Sequence, residues 1–224
     1  VRDAIVTAVR TEQATKAAIL GELDRMCASI RQRHQAAGAE RDVLFVFLSS
    51  HGVRLRKSAD DPSPQLFFQN HDLVPTLQDL EATGLSILDL GDRITSVPAE
   101  VVLVVDACFS GLAGSGLMGG LDAEELARRV QSIYQRGMYV VSASLAGEHA
   151  REDDSQRHGV LTAAVLHALH AAGASGRGRA VLMADLLTSV QRLVPRSPAP
   201  DGKLPQLPVC RIYGDLTPLT ILKT

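Results

Sequence analysis

The sequence predicts an α/β domain: a mostly parallel sheet flanked by helices on both faces. Three observations carry this expectation. Strand-like and helix-like segments alternate along the chain, the pattern of a sheet whose parallel neighbours are joined by helical crossovers. Two runs, Val43-Leu44-Phe45-Val46-Phe47-Leu48 and Val101-Val102-Leu103-Val104-Val105, are apolar without interruption, as strands buried on both faces are. The 224 residues are 46% hydrophobic and 21% charged, enough apolar material for one sizeable core. One domain over residues 1–224 is therefore expected.

The elements follow in order. Residues 4–9 are short and mostly apolar and read as a strand. Residues 11–13 lead into a helix over residues 15–37, with Thr15 as its N-cap and Ala18, Ile19, Glu22, Leu23, Met26 and Ile30 on one mainly apolar face; Gly38 ends it. The first apolar run is a buried strand that stops at Ser49-Ser50-His51-Gly52. A polar, proline-containing loop over residues 57–65 precedes a short strand at Leu66-Phe67-Phe68 and a short helix over residues 86–95. The second apolar run is the clearest strand in the chain and ends at Asp106-Ala107-Cys108. The glycine-rich segment 111–120 reads as a loop of low steric cost. A helix over residues 121–136, a strand over 138–143 and a charged loop over 147–158 come next. Helices over 160–172 and 181–193 follow, then a proline-rich connection (195–208) and a last strand at 209–213.

Composition excludes several functions. Net charge is -2 with the basic residues scattered, and aromatics are 4% with no Trp, so neither a nucleic-acid footprint nor a base-stacking platform is expected. The three cysteines, Cys27, Cys108 and Cys210, are widely spaced and odd in number, which suits neither a disulfide framework nor a zinc knuckle. A reducing, cytoplasmic setting is expected. No apolar run reaches the roughly 18 residues of a membrane span. The chain opens at Val1 without Met, which leaves an upstream targeting segment open.

In open α/β sheets functional groups gather at the carboxyl ends of the strands. His51 and Cys108 sit just after those ends of the two most apolar strands. A thiol attacks a carbonyl as its thiolate and needs a base beside it, which an imidazole supplies near neutral pH. Gly52 would let a backbone N–H approach the developing oxyanion unobstructed, and the N–H of Cys108 would be the second donor. A lone strand-end Cys is usually a small buried apolar residue and a lone His beside Gly usually structural; it is their joint placement that points to a catalytic pair.

Phe47-Leu48-Ser49-Ser50-His51-Gly52 resembles the histidine motif of the caspase-like peptidases, and Asp106-Ala107-Cys108-Phe109-Ser110-Gly111 resembles their Asp-x-Cys-x-Ser-Gly motif. The separation of the two is in line with the roughly 50 residues seen in caspases. Ala14-Thr15-Lys16-Ala17 resembles the family's helix start before the histidine strand. Ser142-Ala143-Ser144 with Gly147-Glu148 resembles the strand and loop that line the substrate cleft. His158-Gly159-Val160-Leu161-Thr162 resembles the helix that follows, and Tyr213-Gly214-Asp215 the tail after the last strand. The resemblance implies a cysteine endopeptidase of metacaspase-like or bacterial caspase-like type; the high Ala, Arg, Gly and Leu content fits a GC-rich source. Two departures stand out. The family's domain normally begins with another strand, central to its sheet, and a helix, and neither precedes Val1, so a fragment or a separate segment is expected. Ser49-Ser50 replaces the commoner Ser-Gly, which asks a non-glycine residue to hold a turn.

Asp106 lies two residues before Cys108. Animal caspases resemble this motif with Gln there, within a pocket for acidic side chains, and metacaspase-like members carry Asp, which lines a pocket for Arg or Lys. A carboxylate at a pocket floor favours a cation through charge-assisted hydrogen bonds, so cleavage after Arg or Lys is expected; the competing role for Asp106 is to satisfy local backbone groups. Ser142 and Ser144 would hold an extended peptide by main-chain pairing, and Glu152 would add negative potential, where Glu148, Asp153 and Asp154 read as solvated. Arg128 and Arg129 form a dibasic pair in the region where many relatives are cut during activation; a solvated helix face is the alternative. Some metacaspase-like relatives need Ca²⁺, but no ligand set assembles here, and no cofactor is expected. The expected partners are peptide or protein substrates and a regulatory domain or protein. Two other classes compete: a catalytically silent scaffold of the same fold, which has no need of His51, Gly52, Asp106 and Cys108 together, and a redox sensor, which would want a resolving Cys near Cys108.

Overall fold

The computed structural model describes residues 5–36, 42–55, 65–76, 78–94, 97–108, 118–119, 138–142, 152–153, 158–174, 180–196, 208–213 and 220–223. In chain order the elements are α1 (Lys16–Gln35), β1 (Asp42–Leu55), β2 (Gln65–Phe68), α2 (Leu80–Thr83), β3 (Leu85–Ser86), α3 (Ile87–Ile94), β4 (Ala99–Cys108), β5 (Met118–Gly119), β6 (Met138–Ser142), β7 (Glu152–Asp153), β8 (His158–Gly159), α4 (Val160–Ala174), β9 (Ala180–Leu182), α5 (Met183–Leu193), β10 (Val209–Tyr213) and β11 (Thr220–Lys223). Short 3-10 turns lie at Thr11–Gln13 and Val194–Arg196.

The class is the expected one, and the sheet is mixed. Its order is β10-β6-β4-β1-β2-β3, with β5 also on β1. The centre, β6-β4-β1, is parallel, while β10, β2 and β3 run antiparallel to their neighbours. Successive β4 residues point to opposite faces. Val101, Leu103, Val105 and Ala107 pack with Leu20, Leu23, Cys27 and Ile30 of α1 and Ile87, Leu90 and Ile94 of α3. Val102 and Val104 pack with Leu161, Ala164 and Val165 of α4 and Met183, Leu186 and Val190 of α5. This is why the run is apolar at every position: both faces are covered.

Thr15 caps α1 as expected, its hydroxyl accepting from the Ala18 N–H at 3.2 Å. The buried stripe is Leu20, Leu23, Cys27 and Ile30; Ile19 and Met26 flank it, and Ala18 is exposed, so the face is rotated from the expected one. The helix start is tied to the loop after β2. The Lys16 N–H donates to Asp72 at 2.8 Å, its ammonium donates to the Glu81 carbonyl and pairs with Asp89 at 3.2 Å, and the His71 N–H donates to the Ala14 carbonyl. Burial pushes the Asp89 carboxyl up, but the Ser86 hydroxyl and N–H together with Lys16 outweigh it and hold the group below its usual range. A carboxylate depressed in the folded state stabilises above its unfolded pKa and stops doing so as pH falls through the folded value. Asp89→Asn is thus expected to cost about 1 kcal/mol at pH 7, and the gap from the parent should close below about pH 4. Urea denaturation across pH 2–7 checks this; a gap that stays constant into acid would refute it.

Several sequence-based expectations are corrected. The strand expected over residues 4–9 is corrected at its described residues: residues 5–10 carry no regular structure and Ile5 is 55% exposed, because a strand needs a ladder partner for its N–H and C=O groups and none is supplied among the described residues. Val181 and Leu182 begin no helix; they belong to β9, which pairs with β11. The glycine-rich segment is not wholly loop, since Met118 and Gly119 pair with Leu55 and Arg54. The charged loop likewise contains paired backbone, Glu152 opposite Gly159 and Asp153 opposite His158. The expected helix at 121–136 lies outside the described residues.

Candidate active site

The two apolar runs are nearest neighbours in the sheet, and their parallel ladder continues without a break from Asp42↔Ala99 to His51↔Cys108. The expected strand ends are therefore corrected: neither residue follows its strand. Cys108 is the last residue of β4, and β1 runs on to Leu55 because, from Gly52, it takes β2 as a partner (Gly52↔Phe68). Adjacent strands lie roughly 4.8 Å apart, so in-register pairing brings the backbones of His51 and Cys108 as close as two strands allow. His51 is exposed and Gly52 buried.

The turn at Ser50 is also corrected. Among the described residues Thr11 is the one non-glycine with positive φ, and Ser50 is extended within β1. Its hydroxyl donates to the Gln69 carbonyl at 2.6 Å and lies 3.0 Å from the His51 carbonyl, which accepts from the Gln69 N–H at 2.8 Å. Serine there ties β1 to the chain leaving β2, beside His51.

Asp106 is 7% exposed at the carboxyl end of β4, in register with Ser49 of β1. Its Oδ2 accepts from the Thr162 N–H at 3.0 Å and also from the Thr162 hydroxyl. Thr162 is in the first turn of α4, where N–H groups lack helical partners and the helix dipole favours negative charge. Asp106 therefore caps α4 from another strand. Gly159 makes room for it: a Cβ there would press first on the Asp106 Oδ2 and come within 2.9 Å of its Cγ and 3.0 Å of its Oδ1. Since Glu152 stands opposite Gly159 in the β7–β8 pair, its backbone is brought to the same corner. Ser142 ends β6 opposite Val105. Ser144, Arg128 and Arg129 lie outside the described residues. In the sequence Thr162 and Gly159 stand out only as part of a family-like stretch; the signal for their role, a glycine and a hydroxyl flanking a helix start, is legible once the carboxylate they serve is known.

Of the other two cysteines, Cys27 is buried and Cys210 half-buried. Cys27 is 1% exposed, and burial pushes its thiol up. Cys210 pairs with Val141, which pairs with Val104, so two strand spacings and four residues separate it from Cys108, roughly 16 Å against the 7 Å limit for a disulfide. Cys210 is therefore not placed as a resolving partner for Cys108. In native protein at pH 7, iodoacetamide is expected to leave Cys27 unmodified while alkylating Cys108; mass spectrometry of peptides reads this, and modification of Cys27 first would contradict it.

No group of three or more His, Cys, Asp or Glu side chains suited to a metal occurs among the described residues, and no described helix is long and apolar enough to cross a membrane.

The peptidase C14 family model, the caspase domain, matches residues 6–213. The chain belongs to the caspase domain family. The caspase-domain match makes a caspase-like cysteine peptidase function, in general terms, the functional frame of the molecule. Solved structures agree at the level of fold. Protein GSU0716 from Geobacter sulfurreducens is 14% identical with a TM-score of 0.58, over 95% of this chain and 78% of that one. Caspase-1 from Spodoptera frugiperda is 17% identical with a TM-score of 0.50, over 88% of this chain and 67% of that one. Among curated proteins none matches the sequence. Within the caspase domain, the ladder of β1 and β4 is the part that carries the motif histidine and cysteine.

Proposed function

We propose that this caspase-domain protein is a cysteine endopeptidase that cuts after Arg or Lys, with Cys108 as nucleophile and His51 as base. The observation that carries the reading is the in-register pairing of His51 with Cys108 at the end of the central parallel ladder. The thiol proton passes to the imidazole, and the thiolate adds to the scissile carbonyl carbon. The N–H groups of Gly52 and Cys108 stabilise the oxyanion. The C–N bond breaks as the imidazolium protonates the leaving amine, and water, deprotonated by His51, then hydrolyses the thioester. Asp106 and Glu152 supply the negative potential for the basic side chain, and Ser142 and Ser144 line the extended peptide. The enzyme works in the cytoplasm as a bacterial effector under a regulatory domain or protein, without a cofactor, and Arg128-Arg129 is a self-cleavage site.

Peptide reporters with Arg, Lys or Asp before the scissile bond test this. Cleavage of the Arg and Lys reporters at least about tenfold better than the Asp reporter is expected, from one charge-assisted contact. Preference for Asp would sink the pocket assignment, and turnover of none would favour a silent scaffold.

A further inference from the structure

We propose that Thr162 and Gly159 are positioning residues for substrate selection: they clamp the Asp106 carboxylate at the start of α4 so that it meets a cationic side chain already oriented. This deepens the reading of Asp106 above and rests on it. Thr162 gives Oδ2 two donors, its own N–H and its hydroxyl. Gly159 confines the same carboxylate by having no side chain, because a Cβ would press first on Oδ2, the oxygen that Thr162 holds, and then on Cγ and Oδ1. A carboxylate so held sheds its rotational freedom on folding. It therefore has little ordering entropy left to lose when a guanidinium or ammonium arrives, and its field is preorganised. The hydroxyl and the backbone N–H play separable parts. The N–H bond caps the helix whatever side chain residue 162 carries; the hydroxyl adds nothing to the helix ladder and acts on the carboxylate alone.

That separation gives the test. In the Cys108→Ala background, binding of a peptide ending in arginine amide and of the same peptide ending in neutral citrulline amide is measured by fluorescence polarisation, with melting temperature alongside. Thr162→Val keeps the N–H and the shape but removes the hydroxyl. It is expected to weaken the arginine peptide about tenfold and leave the citrulline peptide unchanged; Thr162→Ser is expected to restore the parent's ratio, and Gly159→Ala to lower it. A Thr162→Val protein with the parent's arginine-to-citrulline ratio, whether both affinities hold or both fall with the melting temperature, overturns the inference and leaves the Asp106 pocket standing. A parent protein that does not distinguish the two peptides overturns the pocket and the inference with it.

Discussion

Cys108→Ala is expected to lower kcat/KM on an arginine reporter by at least about a thousandfold, with the fold intact. The methyl group cannot form the thioester, and what survives is substrate binding and oxyanion stabilisation. The fold should hold because Cys108 closes β4 through backbone pairing with His51, which any side chain permits, while the core of that strand lies upstream at Val101–Val105, where every side chain is buried. His51→Ala is expected to cost a similar factor, since a thiol without its base is mostly unreactive near pH 7. The double variant should be no worse than either single one, because two residues that act on one proton transfer are not additive. Steady-state kinetics on the three proteins, with circular dichroism to confirm folding, reads this directly. Retention of a tenth of the activity by Cys108→Ala, or losses that multiply in the double variant, would remove the pair from the mechanism.

Asp106→Asn should separate the two jobs that converge on this carboxylate. Asparagine keeps the size and one acceptor oxygen for Thr162 but not the charge. Cleavage after arginine is expected to fall about 10- to 100-fold, the value of a hydrogen bond to a charged group, while a citrulline reporter changes by less than about threefold. Asp106→Ala goes further: it leaves the Thr162 N–H at the start of α4 without its cap and should cost about 1–2 kcal/mol of stability by urea denaturation. Equal losses on the arginine and citrulline reporters in Asp106→Asn would mean that capping α4 is all this residue does.

Much of the fold was legible because the relevant signals are local. An unbroken apolar run marks a strand, and Val43–Leu48 and Val101–Val105 became the neighbours β1 and β4 at the sheet's centre; Val101–Val105 is buried throughout, whereas in Val43–Leu48 only Leu44 is buried and Phe47 is 38% exposed, so the expected burial on both faces is corrected there. Thr15 could be identified as a cap because a hydroxyl reaching three residues ahead is a property of adjacent sequence. The stretch at residues 4–9 misled for the same reason: apolar composition says that a segment can be a strand, but pairing decides whether it is one, and its partner is not encoded nearby. The bridge of β9 to β11 was not legible because a three-residue strand has no periodicity to detect, and the antiparallel direction of β2 and β10 was not because strand composition carries no direction.

At the site the division is sharper. The residue types, His51 with Gly52 and Asp106 with Cys108, were determined by the sequence alone, since each motif is a handful of consecutive residues directly after a recognisable apolar run. Their registration was decided only in three dimensions: one step of slip between β1 and β4 would separate the pair, and register is set by how both strands pack against α1, α3, α4 and α5. Asp106 shows the point most plainly. Its partners come from the start of a helix 56 positions along the chain, and Gly159 matters only because that carboxylate lies against it. Hydrogen bonds and close packing act through space over a few ångströms, whatever the distance in sequence, so the chemistry of a residue can be read where it stands, and its environment only where the chain has folded.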